Sequence, residues 1–328
     1  MTHGDSFMRN FLIDTDTASD DAVAIMMALA APEVNVLALT TVAGNVGLEQ
    51  ATRNALYTAE ICGSDVPVFV GAGGPLTRAL EEAHWFHGRD GLGDHDYPAP
   101  KRNPEREHAV DAILRLAHAE PGLTLVTLGP LTNIALALAR DPAIAETIGR
   151  CVVMGGAPCC EGNVTPAAEY NIWVDPEAAR AVFRSRLPIE MVGWHVSRGS
   201  SALNDEEIAE IEALGAAKAH FAIESNSRAR EAYHTQTGEV GLSLADPTAM
   251  AIALDRSVGL SWSRHRIAIE TQSELTRGMT VVDRLGVNSD ATNADVWRAV
   301  AGESAGADIV WTFDAPRFKA MLKAALAA

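Results

Sequence analysis

The chain has 328 residues, 48% of them hydrophobic, and 26 Lys and Arg stand against 43 Asp and Glu for a formal net charge of −17. That apolar fraction supports a large buried core and excludes a disordered chain. The acidic surplus excludes broad phosphate-backbone or anionic-membrane binding and favours collection of a hard cation instead.

The start, Met1 to Asn10, is short and polar, without an apolar signal core, and no long apolar span follows. Phe11-Leu12-Ile13 is a short strand ending at carboxylates, and Ala22 to Ala30 reads as a helix. Val34 to Val42 is β-rich, Leu48 to Ile61 helical, and Val66 to Val70 a strand. Pro104 to Ala119 reads as a helix, Leu123 to Leu128 as a strand and Leu131 to Ala139 as a helix. Val152 to Met154, a helix over Pro176 to Ser185 and a strand over Ile189 to Val192 continue the alternation. Helices are then expected over Asp205–Leu214, Ala216–Ala232 and Pro247–Leu254. The tail holds β-like runs near Ile267 and Val281 and a final helix from Pro316 to Leu326. Repeated strand-helix units predict an α/β fold with an open, mostly parallel sheet and helices on both faces. No linker or repeat divides it, so residues 1–328 are expected to form one domain. Cys62, Cys151, Cys159 and Cys160 contain no C-x-x-C pair, which fits reduced, buried thiols in the cytoplasm.

In such a sheet the ligand sits beyond the carboxyl ends of the strands. Those ends deliver Asp14 and Asp16, then Asn45, Leu128-Gly129, Met154-Gly155-Gly156 and Trp194-His195. Asp14, Asp16, Asp20 and Asp21 fall within one short stretch. Singly, Asp20 or Asp21 reads as a helix N-cap and Asp14 as a turn brace. Together they repel, and a divalent cation relieves that repulsion. All-oxygen ligation selects calcium or magnesium over zinc. Asp14-x-Asp16 after a strand also fits a haloacid-dehalogenase-type phosphotransferase with Asp14 as nucleophile, but Lys101, Lys218, Lys319 and Lys323 offer no phosphate-holding lysine after a core strand.

Asp14-Thr15-Asp16-Thr17-Ala18-Ser19-Asp20-Asp21 resembles the opening Asp-x-Asp-Pro-Gly-x-Asp-Asp motif of the inosine-uridine preferring nucleoside hydrolase family, with Thr17-Ala18 in place of Pro-Gly. Further segments match in the family's order: Thr40 to Val46, His87 to Gly93, Gly129 to Asn133, Met154 to Gly156, Gly162-Asn163 with Ala168 to Asn171 and Asp175 to Ala179, and Asp246-Pro247. The resemblance runs from about residue 10 to 325 and implies that family's Rossmann-like architecture.

It also implies roles. Asp16, Asp21 and Asp246 would hold Ca2+ with the main-chain carbonyl of Leu128. Asp20, Asn45, Asn163, Glu169 and Asn171 would grip the ribose hydroxyls, and Met154 would line the sugar pocket. Read without the resemblance, Asn163 and Asn171 are turn residues and Met154 is core. Asp16 would act as general base on a water attacking the N-glycosidic bond, whose cleavage passes through an oxocarbenium-like centre. A nucleoside is the expected substrate, and a homodimer or homotetramer the expected assembly.

The base end departs from the family. Ala245 stands where many relatives carry His and others a stacking aromatic, and Trp194-His195 stands in place of Leu-Asp. Trp85, His87, Tyr233 and His234 are the candidate replacements, with His87 and His234 the better proton donors. Base preference stays open. Besides a calcium-dependent nucleoside hydrolase, the phosphotransferase and a ribosyl-binding protein with weak hydrolysis are retained. His118 and His220 read as surface or packed, Trp173 and Trp297 as packing, and Glu206-Glu207-Glu210 as a solvated face.

Overall fold

Arg9–Thr15 forms β1, an interior strand of an eight-stranded sheet. The structure is a computed structural model and describes residues 8–292, 294–296 and 306–328; Trp297 and most of the polar start lie outside them. Phe11 and Ile13 enter one core and Leu12 the other, because successive side chains on a strand point to opposite faces. The same split recurs at Val126 against Leu125 in β4 (Thr124–Thr127) and at Val152 against Cys151 and Val153 in β5 (Arg150–Met154). Strands apolar on both faces must be covered on both, which is the condition of a parallel sheet.

The strand order is β3-β2-β1-β4-β5-β6-β10-β7, with β2 at Val34–Thr41, β3 at Val68–Val70, β6 at Ile189–Val192, β7 at Gly259–His265 and β10 at Ala307–Phe313. All neighbours are parallel except the edge pair β10 and β7. Asp14 is level with Thr40 on β2 and Thr127 on β4. The chain therefore winds outward from β1 in both directions, and the crevice at the β1 and β4 ends is the topological switch point.

One face carries α1 (Ser19–Ala30), α2 (Leu48–Ile61), α9 (Asp205–Glu212), α10 (Ala217–Glu224), α12 (Ala245–Leu254) and α13 (Ala315–Ala327). The other carries α4 (Ala109–Ala119), α5 (Thr132–Arg140), α6 (Ile144–Thr147) and α8 (Pro176–Phe183). α1 and α12 are apolar nearly all round and buried, as internal helices must be. No helix among the described residues is long and apolar enough to cross a membrane.

Several elements differ from expectation. The helix expected from Pro104 starts at Ala109, because Glu105 bridges to Phe69 beside β3 and His108 accepts the Val110 N–H as N-cap. The helix expected over Ala216–Ala232 is two, α10 and α11 (Ser227–Thr237), parted at Ser225-Asn226. The buried Asn226 amide donates there to the carbonyls of Ala222 and Ser19. Short helices α3 (His84–His87) and α7 (Tyr170–Val174) lie in segments for which the sequence predicts no element. The runs near Ile267 and Val281 form a separate hairpin, β8 (Ile267–Ile269) with β9 (Thr280–Val282). Glu207 and Glu210, read as a solvated face, pair with Lys319 and Lys323 of α13.

Asn133 at the start of α5 ties three strand ends together. Its amide nitrogen donates to Asp14 Oδ1 at 2.8 Å and to the Thr41 carbonyl at 3.0 Å, and its oxygen accepts the Ala72 N–H at 2.9 Å. Asn133→Leu leaves these buried groups short of a partner, each at about 1–3 kcal/mol. Denaturant titration of this variant is expected to show an unfolding free energy lower by at least about 2 kcal/mol.

Candidate active site

Two helix N-termini converge on the end of β1. α1 begins at Ser19 and places Asp20 and Asp21 in its first turn; α12 places Asp246 in its first turn. Ligand oxygens of Asp20, Asp21 and Asp246 lie within 4.8 Å of one another. Ala18, the N-cap of α1, has no oxygen to offer, so Asp21 reaches back to the Ala18 N–H at 2.9 Å and also accepts Thr15 Oγ1 at 2.6 Å. The N-cap reading of Asp21 is thus half right: it satisfies the cap from inside the first turn. The positive ends of both helix dipoles offset part of the carboxylate repulsion.

Asp16 lies in the loop between β1 and α1, fully buried. The Asn45 N–H donates to its Oδ2 at 2.6 Å, while its Oδ1 has no hydrogen-bond partner. Gly44 and Gly129 flank it. A Cβ at Gly129 would stand 2.7 Å from Asp16 Oδ1, and one at Gly44 would collide with Oδ2, so only glycine admits the carboxylate here. Burial first, then the Asp21 charge, pushes the Asp16 carboxyl well above its ordinary value. Burial and then Asp20 push Asp21 up to about 6. Burial first, then the charges of Asp20, Asp21 and Asp16, push Asp246 well above its ordinary value. A buried acceptor without a donor, beside carboxyls crowded together in this way, fits a divalent cation. The donors are all oxygen, so the cation is a hard one.

Above this cluster opens a cavity. Asp20, Asn45, Leu128, Met154, Asn163, Glu169, Asn171 and Asp246 line it, together with Trp85 and His87. Asp16 and Asp21 sit beneath that floor rather than on it. Asn171 donates to the Leu128 carbonyl at 2.7 Å and lies 3.3 Å from both the carbonyl oxygen and the sulfur of Met154. Glu169 caps α7, accepting the N–H groups of Asn171 at 2.8 Å, Gly156 at 2.7 Å and Ile172 at 3.3 Å. Its burial still pushes the carboxyl up to about 7. Asn163 Oδ1 accepts the Tyr170 N–H at 2.9 Å. Asn163 therefore does the turn work expected of it and also faces the cavity, whereas Asn171 lies in α7 and reaches across to the Leu128 carbonyl.

At the base end the candidates separate. His87 is buried, its Nδ1 is 2.9 Å from Ser19 Oγ and 3.9 Å from Asp20 Oδ1, and burial holds its imidazole below the usual value. His234 is exposed, contacts the Glu239 carbonyl, and lines a different groove. Tyr233 is fully buried behind the cavity wall, with its hydroxyl on Glu239. Both are corrections: α11 turns Gln236, rather than Tyr233 or His234, toward the cavity. Trp194, which the strand-end reading reached, also lines it, as do Phe86, Tyr170, Ser243 and Gln236, which were missed. Gly238 in the left-handed conformation ends α11 and was the available sign that the helix ran past Ala232 to Gln236. Asp14 is fully buried, with Oδ1 taken by Thr40 at 2.5 Å and Asn133, and is absent from the cavity lining. A phosphotransferase nucleophile needs access that Asp14 lacks.

The family model for inosine-uridine preferring nucleoside hydrolase matches residues 11–319. A pyrimidine-specific ribonucleoside hydrolase, RihA, of Shewanella sp. (strain MR-7) is 42% identical over 292 residues, covering 88% of this chain and 91% of the relative. A non-specific ribonucleoside hydrolase, RihC, of Salmonella paratyphi C is 40% identical over 288 residues, covering 88% and 92%. Among solved structures, a plant nucleoside hydrolase, PpNRh1, superposes with a TM-score of 0.90 at 32% identity, covering 98% of this chain and 99% of that one.

Asp14 and Glu169 at about 7 and Asp21 at about 6 bind protons that the unfolded chain has released by then. With more protons bound in the folded state, stability falls as pH rises. Thermal unfolding of chelator-treated protein is therefore expected to show a melting temperature that declines from about pH 4 to about pH 7. Added calcium is expected to raise that temperature most at the upper end of the window.

Proposed function

From the inosine-uridine preferring nucleoside hydrolase family, to which this chain belongs, we propose calcium-dependent hydrolysis of the N-glycosidic bond of ribonucleosides to free ribose and a nucleobase. The chain is a hydrolase acting on N-glycosyl bonds. The observation that carries the finer reading is the unpartnered Asp16 Oδ1 under a cavity floored by carboxylates and amides. Asp16, Asp21, Asp246 and the Leu128 carbonyl would hold the ion, with Asp20 beside them. When bound, calcium keeps these carboxylates ionised and acidifies nearby water.

The residues then divide the work. Asp16, fixed through Oδ2 by Asn45, accepts the proton of the attacking water. Asp20, Asn45, Asn163, Glu169 and Asn171 hold the ribose hydroxyls, and Met154 packs against the sugar. The same carboxylates favour positive charge developing on the ribosyl ring. His87 hands a proton to the departing base; it is the catalytic histidine candidate on the cavity, where His234 is not. The relatives' printed names include both pyrimidine-specific and non-specific enzymes, so the proposal covers purine and pyrimidine nucleosides. Residues 1–328 are taken as one domain, acting as a cytoplasmic homodimer or homotetramer in nucleoside salvage.

A reducing-sugar assay over a nucleoside panel tests the activity, and metal analysis of protein purified without chelator tests the ion. Release of ribose with equimolar calcium is the expected outcome; ribose binding without turnover would turn the reading to a binding protein. Asp16→Asn is expected to lower kcat by about 10²–10⁴-fold while ribose still binds. His87→Ala is expected to slow inosine and uridine selectively, leaving a nitrophenyl riboside, whose phenolate departs unaided, close to the parent rate.

A further inference from the structure

We propose that Ser19 is the positioning residue for His87: its hydroxyl holds Nδ1 of the imidazole so that the N–H on Nε2 faces the cavity; this rests on the hydrolase reading above. Ser19 stands in the opening motif at a place that the family pattern leaves open, between Ala18 and the pair Asp20-Asp21. The pattern asks for no hydroxyl there.

Ser19 opens α1 and is fully buried. Its carbonyl accepts the Asn226 amide at 3.0 Å, which pins the residue to the break between α10 and α11. Its Oγ lies 2.9 Å from His87 Nδ1 and has no other hydrogen-bond partner among the described residues. The Thr15 carbonyl, four residues back, is turned to the Val42 N–H at 3.0 Å instead. His87 is held from its own side as well. The Ala83 N–H donates to the Asn45 carbonyl at 2.9 Å, the His87 N–H donates to the Ala83 carbonyl at 3.1 Å, and the His87 carbonyl accepts the Gly93 N–H at 2.9 Å. The backbone of His87 thus hangs from Asn45, one of the ribose residues, while its ring is tied to α1. Nε2 makes no hydrogen bond among the described residues and is not a sealed atom, so the slight exposure of this cavity-lining ring includes its polar edge.

A buried hydroxyl has one proton to place, and leaving it without an acceptor is costly. With Nδ1 as the acceptor in reach, Oγ–H donates to Nδ1, and the neutral ring carries its proton on Nε2. In the charged ring both nitrogens carry protons and Oγ accepts from Nδ1 instead. The departing base takes the electron pair of the glycosidic bond and the Nε2 proton; the ring is left neutral with its remaining proton on Nδ1 against Oγ, and solvent water returns a proton to Nε2. A hydroxyl serves every one of these states because it both donates and accepts. A methyl serves none. The charge facing Nδ1 is then Asp20 Oδ1, 3.9 Å away, which favours a proton on Nδ1 and leaves Nε2 bare in the neutral ring.

The test uses the parent, Ser19→Ala and Ser19→Thr with histidine labelled on its ring nitrogens, and His87→Ala to identify the His87 resonances among those of the 10 histidines. On the alkaline side, where the ring is neutral, the nitrogen shifts show which ring atom is protonated. The parent and Ser19→Thr are expected to carry the proton on Nε2, and Ser19→Ala to move toward Nδ1. Kinetics read the ratio of kcat on inosine to kcat on a nitrophenyl riboside, whose leaving group needs no proton. Ser19→Ala is expected to lower that ratio at least about 10-fold, a share of the roughly 10²–10⁴-fold that acid help is worth. Ser19→Thr should restore it, and in a His87→Ala background Ser19→Ala should change it no further. A parent ring protonated on Nδ1 overturns the proposal, as does an unchanged tautomer or an unchanged ratio in Ser19→Ala. A loss of ratio that persists in the His87→Ala background marks a merely structural effect and overturns it too. A parent that releases no ribose from any nucleoside defeats the hydrolase reading, and the nitrogen shifts still decide what Ser19 does to the ring.

Discussion

The burial of acidic groups without basic partners is the constraint on which the rest of this molecule depends. Asp14, Asp16, Asp21 and Asp246 are buried, and no Lys or Arg among the described residues pairs with any of them or with Asp20. Uncompensated, each buried charge costs several kcal/mol. The fold answers with fixed partial charges: two helix N-termini, the Asn45 and Ala18 N–H groups, the Thr15 and Thr40 hydroxyls and the Asn133 amide. These serve Asp14, Asp16 and Asp21, and the fully buried oxygens they leave without a partner on those residues are Oδ2 of Asp14 and Oδ1 of Asp16. Asp14, two hydrogen bonds deep and off the cavity, has its carboxyl pushed up to about 7 by burial. Asp16, with glycines on either side and other carboxyls close by, is arranged for a positive charge that the polypeptide itself does not contain.

This need explains features of the fold that would otherwise look unrelated. α1 and α12 are far apart in sequence, yet both are internal, both almost wholly apolar, and they pack so that their acidic first turns meet. Hydrophobic burial along the two helices holds together N-termini whose charges repel. The parallel sheet contributes by ending β1, β2 and β4 at one level, so that Asp16, Asn45 and the Leu128 carbonyl come from three strand ends to one place.

Much of this was legible in the sequence because burial on two faces writes itself as continuous apolar runs and because strand-end polarity has few other uses. Asp16, Asp20, Asp21, Asn45, Leu128, Met154, Glu169 and Asn171 were all legible as strand-end or motif residues. The failures are particular. β7 is an edge strand with several exposed residues and writes no continuous apolar run, whereas β10 holds one, Ile309-Val310-Trp311, that went unread. α11, Ser-Arg-Ala-Arg-Glu-Ala-Tyr-His-Thr-Gln-Thr, has only two buried residues and no marked apolar stripe, so its rotational phase is not written in its sequence. Tyr233 and Gln236 are three residues apart and share a side of the helix, yet one lies behind the wall and the other on it; His234, turned about 100° further, faces out. Only the tertiary partners of α11, above all Glu239 and Trp194, decide that phase.

The departures at the base end, Ala245 and Trp194, are tied through Ser243 and Ser197. The cavity lining joins carboxylates and amides with aromatic and aliphatic side chains, so charge and dispersion act in one space. The field of the carboxylates favours whatever positive centre forms near them. The apolar lining acts through dispersion and shape, which do not depend on protonation or on a bound ion.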